Sequence, residues 1–289
     1  MSYLKEFKND GYCIIPQAIP LKNIYHFECA MDKFRGKNDH LLLKHDLLVE
    51  GMLDRVINLH YSVKPLLKVF SAAMKAGSDV VDYYGRATLY TSIFFELGSQ
   101  QSLHRDTPYF YSGTVGGYMG SWAALDDADD NNGALVVVKG SHRLPEPNLR
   151  ALKEKFFPEM DIPQGLNYQL VNAYNEELIS MAEKENDGKG LQKITCNVKK
   201  GDLIIWHPQT LHGGLPHLDK NKTRKSLAMH ITPKNMPMKH PDYFFDRNKI
   251  IEPIDQNYDS FEDRLFRSGS IIDFRHKKSF EVTELGEFV

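Results

Sequence analysis

The fold prediction rests chiefly on residues 201–213, whose sequence is GDLIIWHPQTLHG. It begins with a turn-forming Gly-Asp pair and continues through four large apolar residues, Leu203–Trp206. A short apolar run bounded by turn signals is typical of a buried β-strand. The stretch ends close to His212, whose imidazole is a candidate metal ligand. A lone histidine is more often structural, so this interpretation depends on partners elsewhere in the chain.

A second segment, LHRDT at residues 103–107, supplies such partners. In a strand, residues i and i+2 point to the same side, so His104 and Asp106 can face one point. Two imidazoles and one carboxylate on one face of a metal form the facial triad of non-heme Fe(II) oxygenases, which leaves the opposite positions open. The tripeptide alone is weak evidence, because His-x-Asp also occurs in exposed turns. The candidate metal ligands are therefore His104, Asp106 and His212, and other motifs must decide the matter.

The composition excludes several classes of protein. The chain has 289 residues, 36 Lys+Arg against 38 Asp+Glu, and a formal net charge of −2. A near-neutral chain lacks the basic field of a nucleic-acid-binding protein, and no apolar run approaches the roughly 18 residues of a membrane helix. Cys13, Cys29 and Cys196 are odd in number and widely spaced, which suggests neither a disulfide framework nor a zinc knuckle. Because neither end resembles a targeting signal, we expect a cytoplasmic protein that binds neither nucleic acid nor membrane.

We predict a single domain, residues 1–289. Within it, the pattern of apolar and polar residues changes several times along the chain. Helical spacing dominates the beginning, whereas short apolar runs separated by turn signals, typical of strands, follow in two blocks. The βαβ alternation of parallel-sheet enzymes is missing, and so are phosphate-binding glycine loops. A mainly β protein fits best, with an antiparallel barrel or sandwich and helices packed outside it. The predicted parts are an N-terminal helical support (1–78), barrel strands (79–144 and 190–233), a lid-like helical insertion (145–189) and a C-terminal tail (234–289).

Five motifs, in their order and spacing, resemble the phytanoyl-CoA dioxygenase family of Fe(II)/2-oxoglutarate-dependent oxygenases. The resemblance covers roughly residues 5–235 and includes both segments described above. It departs from the family at Lys139, where a proline is usual. The motifs are Phe7–Pro16, His104–Asp106, Trp122–Ala128 with Asn132–Leu135, Lys139–His142, and Gly201–Gly213.

This resemblance implies a fold and a reaction. The fold would be a double-stranded β-helix, a cupin-like jelly roll, with N-terminal helices and a helical insertion. Fe(II) would be held by His104, Asp106 and His212 as the catalytic centre, with 2-oxoglutarate and O2 as co-substrates. The reaction would hydroxylate, or otherwise oxidise, an unactivated C–H bond of a small polar or anionic molecule and release succinate and CO2. Because Asp106 is retained where related halogenases bind chloride, oxidation is favoured over halogenation.

The resemblance also implies how 2-oxoglutarate is bound. A guanidinium suits its distal carboxylate, because it can bind a carboxylate through two hydrogen bonds. Arg224 lies at the family's position for this role, and the adjacent Lys225 is the competing candidate. The Thr107 hydroxyl would contact the co-substrate, and Trp122 would close the back of the pocket, with plain core packing as its alternative. Where the family often has a serine, Gly214 stands, so another group must supply that contact.

Residues close to the metal motif are candidates for substrate recognition. Tyr109, Phe110 and Tyr111 offer aromatic walls and phenol hydroxyls. Arg105 lies between two ligands, so strand alternation turns it to the opposite face, and a structural salt bridge is an equal alternative to substrate contact. The insertion at 145–189 could act as a lid. The sequence leaves the natural small-molecule substrate and the oligomeric state open.

Two other functions are compatible with parts of this pattern. Two histidines and one carboxylate also suit the catalytic zinc of a hydrolase, although Arg224 has no role there and an HExxH motif is missing from the sequence. A non-catalytic jelly-roll binding protein is the second alternative, and the intact triad argues against it. Four further histidines are expected to be structural, with His217 the one that could line the mouth. They are His142, His207, His217 and His230.

Overall fold

Helices cover the outside of the molecule in this computed structural model, which describes residues 2–113, 117–158, 161–162, 168–186, 188–238, 241–246 and 256–289. The longest helix buries Ile24, Phe27, Met31 and Phe34, whose spacing places them on one face. The Phe27 ring meets Phe94 of the underlying sheet edge-on, with the ring centroids 5.3 Å apart. The helices are α1 Tyr3–Asp10, α2 Leu21–Lys44, α3 Pro65–Ala76, α4 Ser78–Val81, α5 Leu149–Phe156, α6 Tyr168–Lys184, α7 Pro241–Phe245 and α8 Val282–Leu285.

The strands form two principal sheets. Among the described residues, the larger sheet has the order β1-β9-β6-β11-β5-β4-β14-β15, with β12 and β13 attached beside β5, and the smaller has the order β10-β7-β8. The strands are β1 Tyr12–Ile15, β2 Leu48–Val49, β3 Met52–Leu53, β4 Val56–Ile57, β5 Ala87–Phe95, β6 Met119–Ala124, β7 Leu135–Val138, β8 Lys193–Cys196, β9 Leu203–Trp206, β10 His212–Gly214, β11 Ser226–Pro233, β12 Tyr258–Phe261, β13 Arg264–Arg267, β14 Ile271–Phe274 and β15 Lys278–Glu281.

The two sheets share one apolar layer. Trp122 and Ile204 from the larger sheet lie in the same buried cluster as Val137 and Cys196 from the smaller one. An isolated bridge between His104 and His212 extends the smaller sheet by one more segment. Apart from the parallel pair of β13 with β5, the strands pair antiparallel. Two such sheets with a common apolar interior are the jelly-roll arrangement, so the predicted mainly β fold with outer helices is confirmed.

The larger sheet extends further than the sequence patterns predict. Residues 48–57, in the part expected to be helical, form β2, β3 and β4, and the tail contributes β12 to β15. The tail strands are four residues each, and polar residues separate their few buried positions, such as Ile272, Phe274 and Phe280. Such short runs give little periodic signal, because strand assignment needs alternation over several residues. The tail therefore supplies part of the sheet that lies beside the barrel strands.

The insertion between β7 and β8 packs as a separate layer over the smaller sheet. Helix α6 buries Leu170, Tyr174 and Leu178, and the Tyr174 ring lies edge-on to Phe244 of α7 at 5.2 Å. Residues 159–160, 163–167 and 187 of the predicted lid lie outside the described residues. Of the helices in the described ranges, none has the length and apolar character needed to cross a membrane.

Candidate active site

The triad residues converge at the end of the barrel. Backbone hydrogen bonds join the two histidines in both directions, from His104 N–H to His212 O at 2.9 Å and from His212 N–H to His104 O at 3.0 Å. Ligand atoms of His104, Asp106 and His212 all lie within 4.8 Å of one another, and the three side chains are buried. Nε2 of His104 is 3.5 Å from Oδ1 of Asp106, and Nε2 of His212 is 3.2 Å from its Oδ2.

Backbone carbonyls fix the orientation of both imidazoles. Nδ1 of His104 lies 2.8 Å from the Ser102 carbonyl oxygen, and Nδ1 of His212 lies 2.9 Å from that of Thr210. A carbonyl only accepts, so each Nδ1 donates a proton and each Nε2 faces the centre of the triad. This is how metal-binding histidines are oriented in general.

The charge distribution at this point favours a cation. Burial alone would raise the pKa of Asp106, but the imidazoles of His212 and His104 hold it well below its usual value. Burial alone would lower the pKa of His212, yet the Asp106 carboxylate raises it above the ordinary value. A metal ion that replaced the proton between these groups would find an ionised carboxylate and imidazole nitrogens directed at it.

Two residues that sequence reasoning missed hold the carboxylate in place. The Tyr118 hydroxyl donates to Oδ2 of Asp106 at 2.5 Å, and the indole Nε1–H of Trp206 donates to the same oxygen at 3.0 Å. Both rings are buried. Trp206 was recognised only as part of a strand, and no motif marked Tyr118. Because two donors engage Oδ2, the other oxygen is the one free for a metal ion.

A cavity of about 640 Å³ opens beside the triad. Arg224 lines it and is buried, with a guanidinium 5.3 Å from the ring centroid of Trp122 and 5.8 Å from that of Phe95. Its Nη1 donates to Ser226 Oγ at 3.0 Å and its Nη2 to the Leu97 carbonyl oxygen at 3.2 Å, whereas Nε has no partner in the described part of the chain.

The described part of the chain supplies no counter-ion for this guanidinium. No carboxylate among the described residues approaches it within salt-bridge distance, and burial lowers the pKa of Arg224 to about 10, with Asp54 opposing. It is therefore still charged at neutral pH. A buried cation without a paired anion is costly unless a ligand supplies one. Lys225 is half-buried and is not among the residues that line the cavity, so Arg224 is the better placed of the two candidates.

Of the other two predicted co-substrate residues, Trp122 lines the cavity and Thr107 does not. Trp122 lines the cavity and contacts the Arg224 guanidinium. Thr107 does not line the cavity, because a turn begins at Asp106 and the Thr107 hydroxyl donates to the Pro208 carbonyl oxygen at 3.0 Å. Its expected contact with the co-substrate is therefore not supported by the structure.

The Ser99 hydroxyl lies close to Gly214, the position at which the family often has a serine. A Cβ atom added to Gly214 would lie 2.8 Å from the Ser99 Oγ atom. Ser99 lines the cavity as well. A hydroxyl is therefore present at this position, although it comes from the segment after β5 rather than from β10.

Among the predicted substrate residues, Tyr109 and Phe110 line the cavity, and two others do not. Arg105 has no exposed surface, and it donates to the carbonyl oxygens of Gln209 at 2.6 Å and Ser141 at 2.7 Å. The Tyr111 ring packs against Phe244 in the cluster beneath the insertion. The expectation of substrate contact is corrected for both: Arg105 joins loops on the far side of the ligand segment, and Tyr111 is part of the apolar layer.

One of the histidines expected to be structural faces the cavity. His230 lines it, and its ring lies 4.2 Å from that of Phe110. Burial lowers the pKa of His230 to about 4, so it is neutral. His217, by contrast, accepts from the Gly98 N–H at 3.1 Å and donates to the Lys222 carbonyl oxygen at 2.9 Å, and it does not line the cavity.

The sequence profile of the phytanoyl-CoA dioxygenase (PhyH) family matches residues 6–226. The chain belongs to this family. The peroxisomal phytanoyl-CoA dioxygenase of Bos taurus is 25% identical over 140 residues, which are 47% of this chain and 35% of the bovine protein. The phytanoyl-CoA dioxygenase of Arabidopsis thaliana is 21% identical over 207 residues, which are 70% of this chain and 65% of the plant protein. The matched stretch thus covers about a third of the mammalian relatives' length.

Solved structures with the same fold include two enzymes of nogalamycin biosynthesis, SnoK and SnoN, and the protein EctD. The non-heme α-ketoglutarate-dependent carbocyclase SnoK superposes with a TM-score of 0.57 at 13% identity, over 88% of this chain and 93% of its own. The epimerase SnoN, solved with Fe3+, α-ketoglutarate and nogalamycin RO, gives 0.54 at 15% identity, over 92% and 96%. EctD from S. alaskensis gives 0.53 at 15% identity, over 83% and 79%. These likenesses establish the fold.

Proposed function

We propose that the protein is an Fe(II)- and 2-oxoglutarate-dependent dioxygenase that hydroxylates, or otherwise oxidises, an unactivated C–H bond of a small polar or anionic molecule. The observation that carries the proposal is the presence, in one cavity, of the buried triad His104, Asp106 and His212 together with the unpaired guanidinium of Arg224. Neither feature alone indicates this chemistry, whereas the two together match the needs of an iron ion and a dicarboxylic co-substrate.

The donor set suits iron. His104 and His212 would each supply Nε2, and Asp106 would supply the oxygen that Tyr118 and Trp206 leave free. Three protein ligands on one face leave the remaining positions for the co-substrates. When bound, the iron would supply the redox chemistry that couples the oxidation of 2-oxoglutarate to succinate and CO2 with the oxidation of a C–H bond.

The unpaired guanidinium suits 2-oxoglutarate. Arg224 would pair with the distal carboxylate, which would repay the cost of a buried charge. Trp122 would flank this pair, and the Ser99 hydroxyl would contact the co-substrate in place of the missing serine at position 214. The fold relative SnoN, solved with Fe3+ and α-ketoglutarate, supports the same pair of ligands here.

The rest of the cavity would hold the substrate. Its volume of about 640 Å³ lies within the range of small-molecule sites, about 300–1,000 Å³. Tyr109 and Phe110, both half-buried, would orient the substrate beside the triad, and their rings would help to keep water from the reacting carbon. The insertion, which contributes the exposed Tyr168 to the cavity, would act as the lid.

A zinc hydrolase at the same triad is the weaker alternative, because it gives the buried Arg224 no ligand. The test is an anaerobic titration of the purified protein with Fe(II) and 2-oxoglutarate, which produces a visible charge-transfer band when both bind in contact. We expect this band in the native protein and in His26→Ala, which removes an exposed histidine on α2. We expect it to be absent in His104→Ala and Asp106→Ala. Tight zinc binding without any such band would overturn the proposal.

A further inference from the structure

A row of residues at the ends of β14, β4 and β5 continues the cavity wall. The pairings Phe274 with Val56 and Val56 with Phe94 align β14, β4 and β5 in one register. One step further along each strand, the residues in line are Arg275, Arg55 and Phe95. All three line the cavity, as expected for neighbours in one row of a sheet, whose side chains share a face.

The two arginines are joined to each other and to the triad. The Arg275 N–H donates to the Arg55 carbonyl oxygen at 3.0 Å. The Arg55 guanidinium lies 5.7 Å from the ring centroid of Phe95. Its Nη2 donates to Gln101 Oε1 at 3.4 Å, and the Gln101 amide nitrogen lies 3.1 Å from His104 Nε2. A single amide side chain therefore separates Arg55 from a ligand atom of the triad.

Among the described residues, positive charge at this end of the cavity exceeds negative charge. Arg275 pairs with Asp54, with Nε and Oδ2 3.5 Å apart. In the part of the chain that the structure describes, no carboxylate lies within salt-bridge distance of Arg55. One carboxylate thus faces two guanidinium groups. Two guanidinium groups that share one carboxylate as counter-ion can bind a further anion.

The backbone at these residues is in a region that side chains disfavour. The φ angles are +53° at Arg55, +57° at Arg275 and +59° at the adjacent His276, which also lines the cavity. The last two are the central residues of a turn closed by the Lys277 N–H on the Phe274 carbonyl oxygen at 2.9 Å. Glycine and asparagine are the usual residues at such positions. Strained residues of this kind cluster at functional sites.

We propose that Arg55 and Arg275 bind an oxyanion group, carboxylate or phosphoryl, of an organic substrate. This rests on the proposed function and deepens it, because it names the substrate class: an organic acid whose apolar part lies against Ile57 and Phe110, with its far end at the triad. Arg224 is reserved for 2-oxoglutarate, so each of the two anions would have its own guanidinium, and both guanidinium groups lie close to the Phe95 ring, at 5.7 Å for Arg55 and 5.8 Å for Arg224.

The test uses substitutions that suit the backbone. Arg55→Asn and Arg275→Asn place a residue that tolerates positive φ where a charged one stands, so both variants are expected to fold. The probes are hexanoate and hexyl phosphate, with hexanamide as the neutral control, observed by NMR with the metal-free protein and with protein loaded with Mn(II) and 2-oxoglutarate. In the loaded protein, the paramagnetic ion broadens the terminal methyl signal of a probe that ends near the triad.

We expect the native protein to bind at least one of the two acids and to broaden its terminal methyl signal, and to leave hexanamide unbound. Each asparagine variant should weaken that binding about tenfold or more, Arg55→Lys should weaken it less, and Arg150→Gln, on the exposed face of α5, should not change it. The two acids have unbranched chains of similar length and different anions, so their comparison tells a carboxylate site from a phosphoryl site.

Three results would overturn this inference: equal binding of hexanamide and the acids, unchanged acid binding in both asparagine variants, or a loss of 2-oxoglutarate affinity in Arg55→Asn that leaves the acids unaffected. The last would assign Arg55 to the co-substrate. Failure of the proposed function is separable, because it appears as the absence of the Fe(II)–2-oxoglutarate band in the native protein, whereas binding of the acids is also measured without metal.

Discussion

Tyr118 donates its hydroxyl proton to Oδ2 of Asp106 at 2.5 Å, and this bond helps to fix the orientation of the carboxylate in the triad. Trp206 donates to the same oxygen. Hydrogen-bond partners of this kind orient ligands, and their loss typically costs about 10–100-fold in metal affinity. Tyr118→Phe removes the donor and preserves the ring that stacks on Phe110.

We therefore expect Tyr118→Phe to bind Mn(II) about 10–100-fold more weakly than the native protein, as measured by calorimetric titration without 2-oxoglutarate. Its unfolding temperature should change little, because the ring contacts persist. Tyr83→Phe, at a half-exposed tyrosine outside the cavity, is the matched control. Native metal affinity in Tyr118→Phe would mean that Trp206 alone holds the carboxylate.

Replacing Arg224 should weaken the binding of 2-oxoglutarate and at the same time stabilise the ligand-free protein. Its buried guanidinium makes two hydrogen bonds and has no carboxylate partner within salt-bridge distance among the described residues. Burial lowers the pKa of Arg224 from 12.5 to about 10, which corresponds to a cost of about 3 kcal/mol for holding the charge in the folded state. A ligand carboxylate would offset that cost.

Arg224→Met should therefore raise the dissociation constant of 2-oxoglutarate about 10–100-fold, the worth of a charge-assisted hydrogen bond. The ligand-free variant should at the same time unfold at a higher denaturant concentration than the native protein, because an uncompensated charge has been removed from the interior. Lys225→Met is the control, and it should change neither quantity. A larger loss of 2-oxoglutarate affinity in Lys225→Met than in Arg224→Met would reassign the role to Lys225.

A serine hydroxyl at position 214 should be able to replace the hydroxyl of Ser99. A Cβ atom at position 214 would lie 2.8 Å from Ser99 Oγ, so one hydroxyl fits the space and two crowd it. We expect Ser99→Ala to weaken 2-oxoglutarate binding about tenfold, since a hydrogen bond to a charged group is lost. The double variant Ser99→Ala/Gly214→Ser should recover most of the affinity, because it returns a hydroxyl to the same space.

Titration of the charge-transfer band with 2-oxoglutarate measures each variant. Gly213→Ser is a useful contrast, since its Cβ atom would meet the Gln101 carbonyl oxygen at 2.6 Å and the backbone there cannot yield as a side chain can. That variant should lose stability. If the double variant binds 2-oxoglutarate no better than Ser99→Ala, the hydroxyl at this place has no part in co-substrate binding.

Only part of this site could be predicted from local sequence patterns, because the rest depends on how distant strands pair. His104 and Asp106 could be predicted because they are two residues apart, and alternation also turned Arg105 away from them, as its buried contacts bear out. Thr107 was assigned by resemblance alone, and the turn that begins at Asp106 directs it elsewhere. The resemblance also supplied the jelly-roll fold, which the pairing of the strands confirms.

Arg55 and Arg275 could not have been predicted in the same way. They lie 220 positions apart in the chain, in segments with no motif, and only the pairing of β4 with β5 and of β14 with β4 brings them to one cavity. Strands of two to four residues leave too few alternating positions for a periodic signal. Tyr118 likewise has its role only through a contact across the barrel.

Acid should destabilise the protein through buried histidines that are not part of the triad. His60 is buried between Tyr61 and Phe266, with Nδ1 2.8 Å from Ser92 Oγ. Burial lowers the pKa of His60 from 6.5 to about 3. Since the folded-state pKa lies below the unfolded value, the unfolded chain takes up the proton first. The stability contributed by neutral His60 is therefore complete above pH 6.5 and is lost as the pH falls towards 3.

Near pH 5 this one residue should make the free energy of unfolding fall by about 1.4 kcal/mol for each unit of decreasing pH. Burial likewise lowers the pKa of His207 to about 3, so the native protein should show a steeper dependence than one residue explains. His60→Gln keeps a polar partner for Ser92 and does not titrate, so guanidinium unfolding at pH 5.5, 5.0 and 4.5 should give a slope lower by about 1.4 kcal/mol per pH unit. His26→Gln, on the exposed surface of α2, should keep the native slope. An unchanged slope in His60→Gln would show that the buried imidazole is not what acid acts on.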